Sequence, residues 1–294
     1  MSAGRRGGEA NRAPGDGPLV SIVTASYNQA RFIPKTIRSV LQQTYPNIEY
    51  IVMDGGSTDG TVGILESFGD RISYWQSAKD GGFADAIAAG FRRSTGSILA
   101  WLNSDDLLAP DAVERAVEAF RRRTDAGLVY GNRVCIDEQD TVLYAKVSVP
   151  WAWHTPLLSF LLSQETCFWT RAAYEDCGGL DAGMKFAIDY DLFSRISRKH
   201  RLAYAPGVWG YFRKHTDSKT MSQYRTVGKK EVRLVQERYY QGPPSRAWWL
   251  GGLFASRMYG LAASWAAPRA QWPDIGVPRK RATWRGLKTL TVFG

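Results

Sequence analysis

Two β-rich apolar runs, Leu19–Ala25 and Ile48–Met53, bracket a stretch with the period of a helix. Between them Ile33, Ile37, Val40 and Leu41 recur at i, i+4, i+7 and i+8, one face of a helix over Arg31–Gln43. Strand, helix and strand at these lengths make a βαβ unit, and its right-handed crossover sets the strands parallel. The chain is thereby committed to an α/β fold. Open parallel sheets bind ligands beyond the carboxyl ends of their strands. There the second run meets Asp54-Gly55-Gly56-Ser57-Thr58-Asp59-Gly60-Thr61. Its glycines let the backbone approach a ligand, and Asp54 can accept a hydrogen bond from a base or ribose. Asp59 reads instead as a cap for the next helix. With no GxGxxG and no GxxxxGK[ST] in this loop, the dinucleotide and P-loop readings lack their fingerprints.

A further short apolar run, within Ile98–Asp106 (ILAWLNSDD), ends in two adjacent carboxylates, Asp105 and Asp106, with no basic residue beside them. Like charges at a buried strand end repel each other and resist desolvation. A divalent cation relieves both problems; a merely polar strand end is the alternative. Asp80 precedes a helix with Phe83, Ile87 and Phe91 on one face, and reads as an N-cap or a second nucleotide contact. Leu128–Ile136 and Thr141–Val149 read as a hairpin, and Ala187–Ser197 as a helix with Asp189 near its N-terminus, where the dipole favours a carboxylate. After a strand over Tyr204–Phe212 comes Arg213-Lys214-His215, an anion-site candidate.

The net charge of +10 lies entirely in the tail: residues 225–294 carry 13 Lys/Arg against 3 Asp/Glu, and the rest of the chain balances. A neutral binding domain followed by a basic segment is expected. That segment also holds Trp248, Trp249, Trp265, Trp272 and Trp284. Ala247–Ala267 is apolar but has Arg257 in its middle, so it reads as lying on an anionic membrane surface and not crossing it. A helical subdomain packed on the core is the alternative. The tail holds no recognisable nucleic-acid module, so no nucleic-acid partner is expected. Cys135, Cys167 and Cys177 lack metal-ligand spacing and fit small core residues in a reducing, cytoplasmic setting. Residues 1–17 show no apolar signal segment and read as a disordered lead, giving a division into 1–17, 18–224 and 225–294.

Six segments occur in order: SIVTASYNQARFIPKTIRSVLQQTYPNIEYIVMDGGSTDGT, SAKDGGFADAIAAGF, LNSDD, QETCFWTRAAYEDCGGLD, DYDLFSRI and YFRKH. Together, over roughly Pro18–Ser222, they resemble the inverting family 2 glycosyltransferases, above all the bacterial members that build envelope polysaccharides. The resemblance implies the GT-A fold, a mostly parallel sheet flanked by helices with a C-terminal helical extension. It implies sugar transfer from a nucleotide-diphospho-sugar, with a UDP-sugar as the commonest donor, to a lipid-linked or polysaccharide acceptor. By resemblance, Thr24, Ser26, Tyr27, Asp54, Asp80, Asn103 and Ser104 hold the donor. Asp105 and His215 hold Mn2+ or Mg2+, and Asp189 is the catalytic base. Gln164, Glu165 and Asp191 lie on the acceptor side. The family's first acidic position of the DxD motif is Asn103 here, its frequent second acid after Asp54 is Gly55, and the Glu common before the base is Ile188. Aromatic faces such as Trp151, Trp153 and Trp169 read as core packing or as sugar-stacking surfaces. A catalytically silent nucleotide-sugar-binding partner of another transferase is the competing reading, disfavoured by the presence of both Asp105 and Asp189. A nucleotidyltransferase would need a Gly-rich, basic triphosphate loop where Ser26-Tyr27-Asn28-Gln29 stands.

Overall fold

The computed structural model describes residues 3–6, 17–150, 161–216, 218, 223–241, 245, 250, 251 and 254. In chain order the strands are β1 (Ala3–Arg6), β2 (Val20–Ser26), β3 (Ile48–Asp54), β4 (Tyr74–Ser77), β5 (Ile98–Trp101), β6 (Leu107–Leu108), β7 (Ala126–Ile136), β8 (Val142–Lys146), β9 (Cys167–Thr170) and β10 (Arg201–Arg213). The helices are α1 (Ile33–Leu41), α2 (Thr61–Phe68), α3 (Phe83–Arg93), α4 (Ala112–Arg122), α5 (Arg171–Asp176), α6 (Ile188–Lys199) and α7 (Lys229–Tyr240). One sheet runs β1-β4-β3-β2-β5-β9-β7-β10-β6, with β8 paired to β7. β4, β3, β2 and β5 are parallel, as are β7 and β10, and β9 runs antiparallel between the two groups.

Alternation along the strands builds a core on each face. Val20, Ile22, Tyr50 and Val52 point to α1, α2 and α4. Val23, Ala25, Ile51 and Met53 point to α3 and α6. Gly90 closes α3 onto the sheet, since a Cβ there would stand 2.4 Å from Val23 Cγ1. α1 carries Pro34 in its first turn, where its fixed φ is suited. The Thr170 hydroxyl accepts the Ala173 N–H at the start of α5.

Two features depart from the sequence reading. Ala3–Arg6 forms an edge strand on β4, where the composition of the lead predicts no element; pairing along an open edge is made by backbone groups and needs no apolar side chains. The boundary read at 224/225 falls before α7, whose Val235 is fully buried in the core beside α6. This part of the tail packs on the domain. Trp151, Trp153, Arg257 and the five tail tryptophans lie outside the described residues. Among those described, no helix is long and apolar enough to cross a membrane.

Candidate active site

The parallel strands β2, β3 and β5 end on one side of the sheet, and their loops build the site. At the end of β3 the Asp54 carboxylate is spent on its own loop. Oδ2 accepts the Gly56 and Ser57 N–H groups (3.1 and 2.9 Å) and the Ser77 hydroxyl (2.6 Å), and Oδ1 accepts the Ser57 hydroxyl. Asp59 accepts from Thr61 and from Ala30 N–H, tying the loop to the chain after β2. Ser26 ends β2 buried, with no partner for its hydroxyl, and Tyr27 is exposed. Asp80 accepts the Gly82 N–H at the mouth of α3 (2.8 Å) and faces Gly55: a Cβ on Gly55 would stand 3.2 Å from Asp80 Oδ2 and 3.4 Å from the Tyr27 ring. Ser26, Tyr27, Asp54 and Asp80 thus converge. Thr24 does not join them. It is fully buried within β2, where its hydroxyl accepts from Tyr50, and it belongs to the core.

Beyond β5 the two acids have different environments. Asp106 is buried. It accepts the Arg213 N–H (2.9 Å) and the Asn103 amide (3.0 Å). Burial, followed by the neighbouring Asp105 and Glu165 carboxylates, pushes its carboxyl well above the usual range. Asp105 points out of that network, and its Oδ2 lies 2.9 Å from His215 Nε2. The buried imidazole leans on Phe32, centroids 4.8 Å apart, and its Nδ1 has no hydrogen-bond partner. Thr36 in α1 fixes the loop by donating to the carbonyls of Ser104 (2.9 Å) and Asp106 (2.8 Å). Ser104 is itself buried.

Arg213 is not an anion clamp. Its guanidinium is fully buried, donates to the carbonyls of Asp105 (2.8 Å) and Asp137 (3.0 Å), pairs with Asp140, and stacks over Phe32. Sequence reasoning gave the basic run one shared role; burial splits it. Arg213 holds the loop, and His215 is left facing Asp105.

Just before β9, Gln164 donates to the Trp101 carbonyl (2.8 Å), and Glu165 is buried 3.6 Å from the Arg133 guanidinium. Asp189 sits half-buried in the first turn of α6, within electrostatic reach of Cys167. Asp191, expected on the acceptor side, is turned into the core. It is buried, paired with Arg195 (2.5 Å), and accepts the Tyr239 hydroxyl from α7 (3.0 Å). Two residues along a helix is a turn of about 200°, which aims Asp191 away from Asp189. Trp169 is fully buried among Phe91, Trp101 and Phe193.

Two positioning groups escaped the sequence reading. Thr36 lies between Ile33 and Ile37 on the apolar face of α1, a polar residue at a core position, and that was a usable signal. Glu231 in α7 accepts the N–H groups of Lys185, Phe186 and Ala187 (2.9, 2.8 and 2.9 Å), just before Asp189, and nothing in the local pattern announces it. Asp176, Cys177 and His200 are close enough together to share an ion, but Asp176 already pairs there with Lys199 and His200.

A family model described as glycosyl transferase family 2 matches residues 21–184. An uncharacterized glycosyltransferase of Rickettsia typhi is 32% identical over 192 residues, which is 62% of this chain and 59% of that protein. Chondroitin synthase of Escherichia coli is 28% identical over 237 residues, 77% of this chain and 34% of that protein. The chain therefore spans less than two thirds of the length of either relative. Staphylococcus aureus TarS in complex with UDP-GlcNAc superposes with a TM-score of 0.61 at 18% identity, covering 78% of this chain and 68% of that one. The mannosyltransferase PcManGT of Pyrobaculum calidifontis, in complex with GDP-Man and Mn2+, gives 0.60 at 20% identity, covering 87% and 77%. At these identities the likeness is one of fold.

Proposed function

The chain belongs to glycosyltransferase family 2 and has the GT-A fold, and from that premise we propose that it transfers a sugar from a nucleotide-diphospho-sugar to an acceptor hydroxyl, with a divalent metal and inversion at the anomeric carbon. The observation that carries the reading is the contact of Asp105 with His215, two groups 110 positions apart in the chain and brought within 2.9 Å.

That pair fits a metal. It offers one carboxylate oxygen and one imidazole nitrogen, and the other ring nitrogen is an orphan. Oxygen donors suit Mg2+ and Mn2+ alike, and an imidazole donor favours Mn2+. Bound there, the ion supplies positive charge to the leaving diphosphate. Thr36 and Arg213 hold the Asp105 loop so that this charge is fixed in place. Ser26, Tyr27 and the Asp54 loop face the base and ribose, with Asp80 beside Gly55. Asp189 takes the proton of the attacking hydroxyl, an assistance typically of about 10²–10⁴-fold. Glu165 and Gln164 border the acceptor.

UDP-sugars head the donor candidates; TarS was solved with UDP-GlcNAc and PcManGT with GDP-Man. The acceptor is read as polysaccharide or lipid-linked, in envelope assembly at the inner face of the cell membrane, with the basic tail as a peripheral contact. The relative named chondroitin synthase supports a polysaccharide acceptor.

The test is a thermal-shift screen of nucleotide sugars with and without Mn2+. A ligand at a hundredfold excess over its Kd adds about 2.7 kcal/mol to the folded state. A shift that requires Mn2+ and vanishes in Asp105→Ala is expected. A shift of equal size with EDTA would sink the metal assignment.

A further inference from the structure

We propose that the face shared by β7 and β8 is an acceptor subsite that takes an anionic group, the carboxylate of a sugar acid or the phosphate of a sugar phosphate. The proposal rests on the transferase reading above and names the acceptor class for that site.

Arg133 and Lys146 are direct cross-strand partners in the antiparallel β7–β8 pair, so their side chains share a face. Like charges set opposite each other repel. The next pair on that face is Cys135 with Tyr144, and Lys214 Nζ stands 4.8 Å from the centre of the Tyr144 ring. Three cations therefore gather on one wall. The ion pair recorded for them among the described residues joins Arg133 to Glu165, and at 3.6 Å it is longer than a hydrogen bond. Glu165 is 3% exposed, yet its Oε1 has no hydrogen-bond partner, and neither has Arg133 Nε. Buried polar atoms left this way are costly and rare.

The rest of the geometry leaves a place for an oxyanion. The Arg133 guanidinium rests its flat face on Phe212, 4.8 Å from the ring centre, and a guanidinium binds carboxylate or phosphate along its edge. Gly210 permits the arrangement, since a Cβ there would stand 2.7 Å from the Glu165 carbonyl and push the acid away. Burial, and then the Arg133 charge, bring the Lys146 ammonium down to about 7, against the opposing pull of Glu165, Cys135 and Cys167. Glu165 acts electrostatically on Asp106, beside Asp105, while Lys146, Glu165 and Asp189 all act on Cys167. The cationic wall is thus within reach of both the proposed metal pair and the proposed base, where an acceptor must lie. A bound anion adds countercharge to a wall on which Glu165 is the carboxylate paired with Arg133, and returns a proton to Lys146. A neutral sugar does neither.

The experiment titrates the full chain with methyl β-D-glucuronide, glycerol 3-phosphate and, as the neutral control, methyl β-D-glucoside. Calorimetry is run at pH 8 in two buffers of different ionisation heat. An anion is expected to bind about tenfold or more tighter than the glucoside, with uptake approaching one proton. The glucuronide arm identifies a sugar acid and the glycerol phosphate arm a phosphate. In Lys146→Met both the preference and the proton uptake should disappear. Equal binding of neutral and anionic probes, or anion binding untouched by Lys146→Met, overturns the proposal. Should that variant not fold, the preference of the unsubstituted chain for the anionic probes over the glucoside decides. A donor thermal shift with Mn2+ on the same unsubstituted sample keeps the two readings apart. Its loss defeats the transferase reading, whereas a donor shift without anion preference defeats only the subsite.

Discussion

Replacing Glu231 by alanine should loosen the start of α6 far more than its place on a half-exposed helix suggests. One carboxylate accepts three successive backbone N–H groups, those of Lys185, Phe186 and Ala187, at 2.8–2.9 Å. They lie at the amino end of a helix, where a negative charge adds about 0.3–1 kcal/mol. A hydrogen bond to a charged group contributes about 1.5–3 kcal/mol, and three to one carboxylate are not additive. A net loss of about 2–3 kcal/mol is the reasonable sum for a site open to water. At about 2–4 °C per kcal/mol for a domain of this size, Tm should fall by roughly 4–12 °C. Glu231→Gln keeps one good acceptor and should fall about half as far. Arg233→Ala on the same helix is the control, since it breaks only an exposed pair with Glu237 and should cost under about 0.5 kcal/mol. Thermal unfolding of the three variants checks the ranking, and hydrogen exchange at residues 185–187 checks its cause. If Glu231→Ala and Arg233→Ala unfold together, the three hydrogen bonds do not hold the helix start and the reasoning fails.

Asp189→Asn should lose about 10²-fold or more in turnover while keeping its donor-induced thermal shift; near-normal turnover would remove Asp189 from the role of base. Arg213→Met strands the carbonyls of Asp105 and Asp137 and part of the Asp140 charge, so a loss of about 3–5 kcal/mol is expected in urea unfolding. In Gly131→Ala the new methyl would stand 2.3 Å from Trp209 Cγ, and overpacking should lower the denaturation midpoint by about 1–3 kcal/mol. Lys146 titrates at about 7 when folded and near 10.4 when unfolded, so between those values the unfolded chain binds the extra proton. Stability should therefore rise with pH across that window, and Lys146→Met should flatten the rise.

The fold was legible because its signal is periodic. The spacing of Ile33, Ile37 and Val40, and the apolar runs of β2 and β3, are local properties, and the crossover rule converts them into a parallel sheet. Asp105 drew attention because two like charges end an apolar strand, and the structure sets it 2.9 Å from His215. What failed were judgements that depend on which way a side chain points. Thr24 and Ser26 are two apart on one strand and share a face, yet one is inside the core and the other at its rim. Asp189 and Asp191 look alike in sequence, but the helical turn leaves one half-buried and directs the other to Arg195 and Tyr239. The grouping of Arg133 with Lys146 did not follow from the hairpin alone, because register decides which residues of the two strands face each other, and Lys214 arrives from a distant part of the chain.

The closeness of Gly55 to Asp80 has a consequence for how this loop can change by substitution. An acid at 55 would begin with its Cβ 3.2 Å from the Asp80 carboxylate, so two like charges would be set close together. Positions 55 and 80 therefore should not vary independently. The effect of Gly55→Asp should depend on whether Asp80 is kept, and the double change Gly55→Asp with Asp80→Ala should be less damaging than the sum of the two single changes.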